Sequence, residues 1–173
     1  MQKVIIIGAG ILGASTAYHL AKKHVSVTVI DRKDPGQATD AAAGIICPWI
    51  SQRRNKAWYT LAKNGAAYYG TLIKALERDG ETKTGYRKVG AISLHTEAKK
   101  LDGMEERAKK RKVDAPEIGE ICQLNEAETC EKLPVLDDTY SSVYVSGAAR
   151  VNGRELRDAL IRGAKKHGAK FID

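Results

Sequence analysis

Apolar and polar positions follow several rhythms along the chain, and each rhythm predicts an element. Lys3-Val4-Ile5-Ile6-Ile7 is a β-branched apolar run that stops at Gly8, the pattern of a strand. Ala14, Ala17, Leu20 and Ala21 then recur at helical spacing up to Lys22-Lys23, and Val25 to Ile30 is a second β-rich run ending at Asp31. Arg32 to Thr39, with Asp34-Pro35-Gly36, is polar and turn-rich. From Lys56 to about Arg78 a long amphipathic helix is predicted, with Trp58, Leu61, Ala62, Gly65, Ala66, Tyr69, Leu72, Ile73 and Leu76 on its apolar stripe and Gly80 as its C′ residue. Trp58, Tyr59, Tyr68 and Tyr69 on that helix suit either a core or a pocket wall.

The rest of the chain mixes shorter elements. Tyr86 to His95 predicts one strand, and Thr96 a cap for a helix that buries Ala98, Leu101, Met104 and Ala108 and carries a charged run through Lys112. A strand is expected around Ile118 to Leu124, then a short helix started by Asn125 with Glu128 three residues on and ended before Pro134. Ser142 to Val145 is strand-like and Gly147 to Val151 a turn. Asn152 caps a last helix to Gly168, with Leu156, Leu160, Ile161 and Ala164 as its buried row, and Ala169 to Asp173 begins another strand. A chain stopping where a helix returns to a sheet is expected to be a fragment, or an early stop, of a longer protein.

The first thirty-one residues also carry chemistry. Gly8, Gly10 and Gly13 are spaced G-x-G-x-x-G between a strand and a helix, the dinucleotide-binding fingerprint. Gly8 permits the tight turn, Gly10 removes a side chain that would hold a pyrophosphate off the backbone, and Gly13 lets the helix pack on the sheet. The first helical turn, Ile11, Leu12 and Gly13, presents N–H groups without intrahelical partners at the positive end of the helix. Asp31 stands about 20 residues on, where an acid accepts from a ribose hydroxyl. Downstream, Asp40-Ala41-Ala42-Ala43-Gly44 is built of small residues, which suits either close approach of a ring or phosphate, or a tightly packed turn.

Composition narrows the class. The chain has 173 residues, 43% hydrophobic and 29% charged, as in a globular protein. Its net charge of +8 raises nucleic acid as a partner, but the basic residues are spread out, and the densest run, Arg107 to Lys112, suits a solvated helix face. No nucleic-acid role is expected. Cys47, Cys122 and Cys130 form no C-x-x-C pair, and His19, His24, His95 and His167 lack ligand spacing, so neither a disulfide framework nor a metal site is expected. No stretch approaches the roughly 18 apolar residues of a membrane span, and a cytoplasmic protein is expected.

With Val4 to Asp31, Ala42-Ala43-Gly44-Ile45 and Gly147-Ala148-Ala149-Arg150-Val151-Asn152-Gly153 in view, the sequence resembles the FAD-dependent D-amino-acid oxidase superfamily, in particular its glycine oxidase, sarcosine oxidase and D-amino-acid dehydrogenase branches, over the N-terminal half of such an enzyme. The resemblance implies an α/β fold: a Rossmann-like βαβ FAD-binding domain with part of an inserted α+β substrate domain. Residues 1–50 would be the first part of the FAD domain, 51–145 the partial substrate domain, and 146–173 the return. Gly8, Gly10 and Gly13 would hold the FAD pyrophosphate, Asp31 the adenosine ribose and Arg32 the adenine side. Thr39, Asp40 and Ala41 fall where relatives place hydroxyl residues near the phosphates. Asp40 departs from that pattern and is expected to turn away from the pyrophosphate or cap a helix. Ala43, Gly44 and Ile45 would approach the flavin ring.

The implied reaction is oxidation of an amino acid or secondary amine by hydride transfer to flavin, giving an imine that hydrolyses. The substrate-binding Arg and Tyr of the family come from its later half, so no catalytic residue is named and residues 1–173 alone are expected to turn over no substrate. Two alternatives stay open: a nicotinamide-dependent, NAD(P)-type dehydrogenase, and a non-catalytic dinucleotide-binding module. No oligomeric state is assigned.

Overall fold

The computed structural model describes residues 2–173, which divide into two compact units. The first comprises residues 2–44, Gly70–Tyr86 and Val151–Asp173; the second comprises Ile45–Tyr69 and Arg87–Arg150. These limits differ from segments 1–50, 51–145 and 146–173. The difference centres on helix α2 (Lys56–Arg78), whose residues from Gly70 onward count with the first unit, where Leu72, Ile73 and Leu76 are buried.

In the first unit β1 (Lys3–Ile7), α1 (Ile11–Ala21) and β2 (Ser26–Ile30) form the predicted strand–helix–strand. They share a parallel sheet with β9 (Lys170–Ile172) in the order β1-β2-β9, Lys3 opposite Ser26 and Ile7 opposite Ile30. Alternate residues of β1 face opposite sides. Val4 and Ile6 are half-buried, while Ile5 and Ile7 are 68% and 78% exposed.

Small residues set the helix packing. Ala14, Ala17, Tyr18 and Ala21 are the buried face of α1, and α5 (Gly153–Lys166) meets it with Leu156, Ala159, Leu160, Gly163 and Ala164 buried. At Gly163 a Cβ would come 2.9 Å from the Tyr18 ring, so glycine makes room for the aromatic. Tyr18 then donates its hydroxyl to Asp79, which also meets His167 (3.1 Å) and Lys22 (3.4 Å). Glu81, buried beside it, pairs with Arg162 and Lys166. The end of α2 that presents both acids closes as a Schellman turn: Gly80 has φ +80, Glu81 N–H donates to Leu76 C=O (2.8 Å), and Gly80 N–H to Glu77 C=O (2.9 Å). Of the expected buried rows, Leu20 and Ile161 are only half-buried; Tyr18 and Ala159 are more enclosed.

The second unit holds two antiparallel sheets. One joins β3 (Ile45–Ile46), β8 (Ala149–Arg150) and β4 (Arg87–Lys88) in the order β3-β8-β4; the other joins β5 (Ala91–His95), β7 (Ser141–Val145) and β6 (Ile121–Leu124) in the order β5-β7-β6. Helix α3 (Ala98–Lys112) packs Leu101 and Met104 with Val143, while Ala108 joins Trp49, Ala115, Ile118, Val145 and Ala148. Helix α4 (Glu126–Lys132) starts with the predicted box: Asn125 accepts from Glu128 N–H, and Glu128 accepts from Asn125 N–H, both at 2.9 Å.

Several local expectations are corrected. The single strand predicted over Tyr86 to His95 is two strands in different sheets, broken at Gly90 (φ +73), where any Cβ would strike the Tyr144 ring. Glu97, not Thr96, occupies the N-cap of α3, and it makes no side-chain cap. The Gly147 to Val151 turn contains β8, and the strand expected from Ile118 begins at Ile121, after a 3-10 turn at Pro116–Ile118. Leu61 and Ala98, placed on buried stripes by spacing, are exposed.

Candidate functional site

The three fingerprint glycines differ in what the structure asks of them. Gly8 takes φ +97, a conformation side chains resist, and its N–H ties back to Ile30 C=O at 2.8 Å. A Cβ on Gly13 would overlap the Gly8 carbonyl oxygen and stand 3.3 Å from Ile6 Cγ2, so glycine lets α1 sit against the turn. A Cβ on Gly10 would meet only Thr39 Oγ1, at an ordinary 3.5 Å. The protein's own packing does not demand glycine there; its absent side chain leaves the helix end open to a ligand.

That end is built for an anion. Gly10 is the N-cap of α1 and supplies no side-chain cap, and the first turn carries no acidic residue. Ile11 N–H donates to Thr39 Oγ1 at 3.0 Å, whereas the amides of Leu12 and Gly13 make no hydrogen bond among the described residues. Unpaired N–H groups on a helix's positive end attract phosphate. The Leu12 side chain points away, 79% exposed.

Asp31 closes the other side. Its carboxylate accepts from Ala9 N–H and from Lys33 N–H (2.7 Å), and those two bonds, Ala9's the stronger, hold its carboxyl below the ordinary aspartate value. It is therefore ionised and aimed at the glycine turn, with lone pairs left for further donors. Arg32 lies beside it, exposed and paired with Asp34 at 2.7 Å. A cleft of about 640 Å³ runs along Gly8, Gly10, Asp31, Arg32, Gln37 and Thr39, and a second cavity of about 620 Å³ also reaches Asp31, between Gln37, Arg157, Lys165, Phe171 and Ile172.

The start of α5 holds the remaining wall. Asp40 is tied to the start of α5: its Oδ1 accepts from Arg157 Nη1, which also donates to Gln37 Oε1 at 3.2 Å, and Arg154 Nε lies 3.7 Å from the same oxygen, while Asp40 shares the second cavity with Ala9 and Asp31. Gly153 packs so closely on Thr39 that a Cβ would come 2.5 Å from its carbonyl oxygen. Val151 N–H donates to Gly44 C=O at 2.9 Å, and Gly44, at φ +68, has no space for a Cβ against Val151. Spacing gives no sign of Arg157, because its partners lie 117 and 120 residues away.

Of the predicted site residues, Gly8, Gly10, Ile11, Leu12, Gly13, Asp31, Arg32, Thr39, Ala43 and Gly44 belong to the first unit. Ala43 is exposed. Ile45 belongs to the second unit, 75% exposed, where it lines an apolar pocket of about 260 Å³ with Ile46, Cys47, Trp58, Ala62 and Tyr69. Two of the four α2 aromatics thus face a pocket. Burial pushes the Cys47 thiol up to about 11, which keeps it protonated at neutral pH. Among the described residues no cluster of His, Cys, Asp or Glu could hold a metal ion, and no helix is long and apolar enough to cross a membrane.

A crystal structure of iminodiacetate oxidase from Chelativorans sp. BNC1 superposes with a TM-score of 0.94 and 44% identity, covering 98% of this chain and 46% of that one. The uncharacterized oxidoreductase YurR of Bacillus subtilis (strain 168) is 66% identical over 172 residues, which are 99% of this chain and 46% of YurR. An opine oxidase component of Rhizobium meliloti is 30% identical over 96% of this chain and 46% of its own length. The chain spans about half the length of the curated relatives it matches. The family model for FAD dependent oxidoreductases matches residues 3–173. The chain belongs to that family, the FAD dependent oxidoreductases of the D-amino-acid oxidase type, and its cofactor is FAD.

Proposed function

We propose that this chain supplies the dinucleotide-holding part of an amine oxidoreductase whose substrate is a secondary amine or amino acid bearing a carboxylate. One observation carries the reading: an uncapped helix N-terminus behind a glycine turn, faced by an ionised Asp31, in a chain 44% identical to an iminodiacetate oxidase. Iminodiacetate is a secondary amine with two carboxymethyl arms, and opines are N-carboxyalkyl amino acids, so these two relatives share that chemistry.

In this reading the Leu12 and Gly13 amides hold the pyrophosphate, with Thr39 fixing the neighbouring Ile11 amide. Asp31 accepts from the adenosine ribose, and Arg32 flanks the adenine. Ala43 and Gly44, small residues of the same unit, would let the flat flavin ring approach. When bound, FAD supplies the two-electron acceptor. The substrate loses a hydride from the carbon next to nitrogen and a proton from nitrogen, and water opens the resulting C=N bond to a carbonyl compound and a shorter amine.

The test is a titration of the purified chain with FAD and, separately, with NAD+, followed by flavin fluorescence and the visible spectrum. Quenched flavin fluorescence with a shifted visible band, and no NAD+ binding, is expected. Binding of NAD+ in preference to FAD would overturn the reading in favour of a nicotinamide enzyme. For substrate class, an FAD-loaded protein of the relatives' full length that contains this chain, given iminodiacetate anaerobically, should lose its visible band faster than with D-alanine; the reverse order would remove the secondary-amine assignment.

A further inference from the structure

We infer that Arg157 is a positioning residue for the cofactor site, acting by holding and neutralising Asp40 next to the phosphate-binding turn; this rests on the reading of that turn as the FAD site. The two charges meet within one unit. Arg157 is largely enclosed, with 16% of its side chain exposed, and its guanidinium reaches Asp40, Gln37 and its neighbour Asp158 (2.9 Å). Asp40 adjoins Thr39, whose hydroxyl holds the Ile11 amide on the first turn of α1. The link therefore runs from α5 through Arg157 to the loop 37–40, and through Thr39 to the helix end that faces the pyrophosphate.

Charge decides what the link does. A carboxylate beside a doubly anionic pyrophosphate is repulsive, and in a partly enclosed site that repulsion is weakly screened. Arg157 pairs with the carboxylate and offsets its charge. Arg154, 3.7 Å from the same oxygen and mostly exposed, contributes less. Gly153 gives independent support: a residue with a Cβ there would strike the Thr39 carbonyl oxygen, so the first turn of α5 is shaped to seat this loop.

A pair that served folding alone would leave FAD affinity and the Ile11 amide unchanged in every variant that still folds. Charge neutralisation makes a different forecast. Arg157→Ala should weaken FAD binding about tenfold, Asp40→Asn should stay within about twofold of wild type, and the double variant should recover to within about threefold. Arg157→Lys, which keeps the charge but loses the fork, should fall between. Affinity is read from flavin fluorescence quenching, and amide hydrogen exchange on the FAD-free chain reports the tether directly: the Ile11 amide should exchange at least fivefold faster in Arg157→Ala.

A double variant no better than Arg157→Ala, or an unchanged Ile11 exchange rate, would overturn the inference. A wild-type chain that binds no FAD while Arg157→Ala still accelerates Ile11 exchange would sink the proposed function and leave the tether standing.

Discussion

Gly13→Ala is the substitution for which helix propensity and packing make opposite forecasts. Gly13 is the third residue of α1, and alanine in a helix is favoured over glycine by about 1 kcal/mol. Against that gain, the new methyl would overlap the Gly8 carbonyl oxygen and stand 3.0 Å from its carbon and 3.3 Å from Ile6 Cγ2. Two of these atoms are backbone, fixed by the Gly8 N–H bond to Ile30, so relief requires α1 to lift from the turn. Overpacking of that kind costs about 1–3 kcal/mol, and more where backbone must move. The net is a destabilisation of about 1–2 kcal/mol, or roughly 2–8 °C in Tm for a chain of this size. Gly103→Ala is the control: mid-helix in α3 with nothing within 4 Å of the new methyl, it should gain about 0.5–1 kcal/mol. Thermal unfolding followed by far-UV circular dichroism separates the two. A Gly13→Ala protein as stable as wild type, beside a stabilised Gly103→Ala, would refute the close-packing account.

Asp79→Asn should cost about 1–3 kcal/mol by urea unfolding, because it removes a charge met by Lys22 and His167 and a strong acceptor for the Tyr18 hydroxyl. Burial raises the Asp79 and Glu81 carboxyls, but bonds from Tyr18, His167 and Lys22, and from Lys166 and Arg162, outweigh it and leave both below their usual values. Their stability contribution is complete above the unfolded carboxylate values near pH 4 and is lost as pH falls through the folded values. The urea midpoint should therefore hold between pH 7 and 5 and drop below about 4; a midpoint unchanged down to pH 3 would contradict the pairing. Asn125→Ala should lose about 1 kcal/mol with the capping box, and Asn125→Asp should retain most of it, as read by the same unfolding curves.

Local rules carried much of the fold. Helix α2 runs from Lys56 to Arg78 as its stripe predicts, and Gly80 ends it, because a helical period of about 3.6 residues kept up over 23 residues and a left-handed glycine are local signals. Asn125 and Glu128 form their box for the same reason. What sequence missed depends on neighbours distant along the chain. The strand through Val89 breaks because Gly90 must clear Tyr144, 54 residues on in the chain. Leu61 fits the apolar stripe of α2 yet is exposed, since spacing tells which residues share a face and not how far along the helix that face is covered. At the site, the glycines and Asp31 were legible because a turn, a helix start and a strand end are fixed by adjacent residues. Arg157 was not, because its meaning comes entirely from Asp40 and Gln37, brought to it by tertiary packing.

The outward row of β1 has a consequence for how these 173 residues behave at working concentration. Ile5 and Ile7 are exposed on the terminal strand of the parallel sheet β1-β2-β9, and beyond them the strand's outer row of N–H and C=O groups stands ready to pair. Covering two such side chains is worth about 1.5–3 kcal/mol each, and a newly paired strand adds its ladder. Adhesion is thus a property of the same strand that ends in the glycine turn. A polypeptide that lies along β1 would run beside Gly8, whose backbone is already tied to Ile30, and stop two residues short of the N-terminal end of α1.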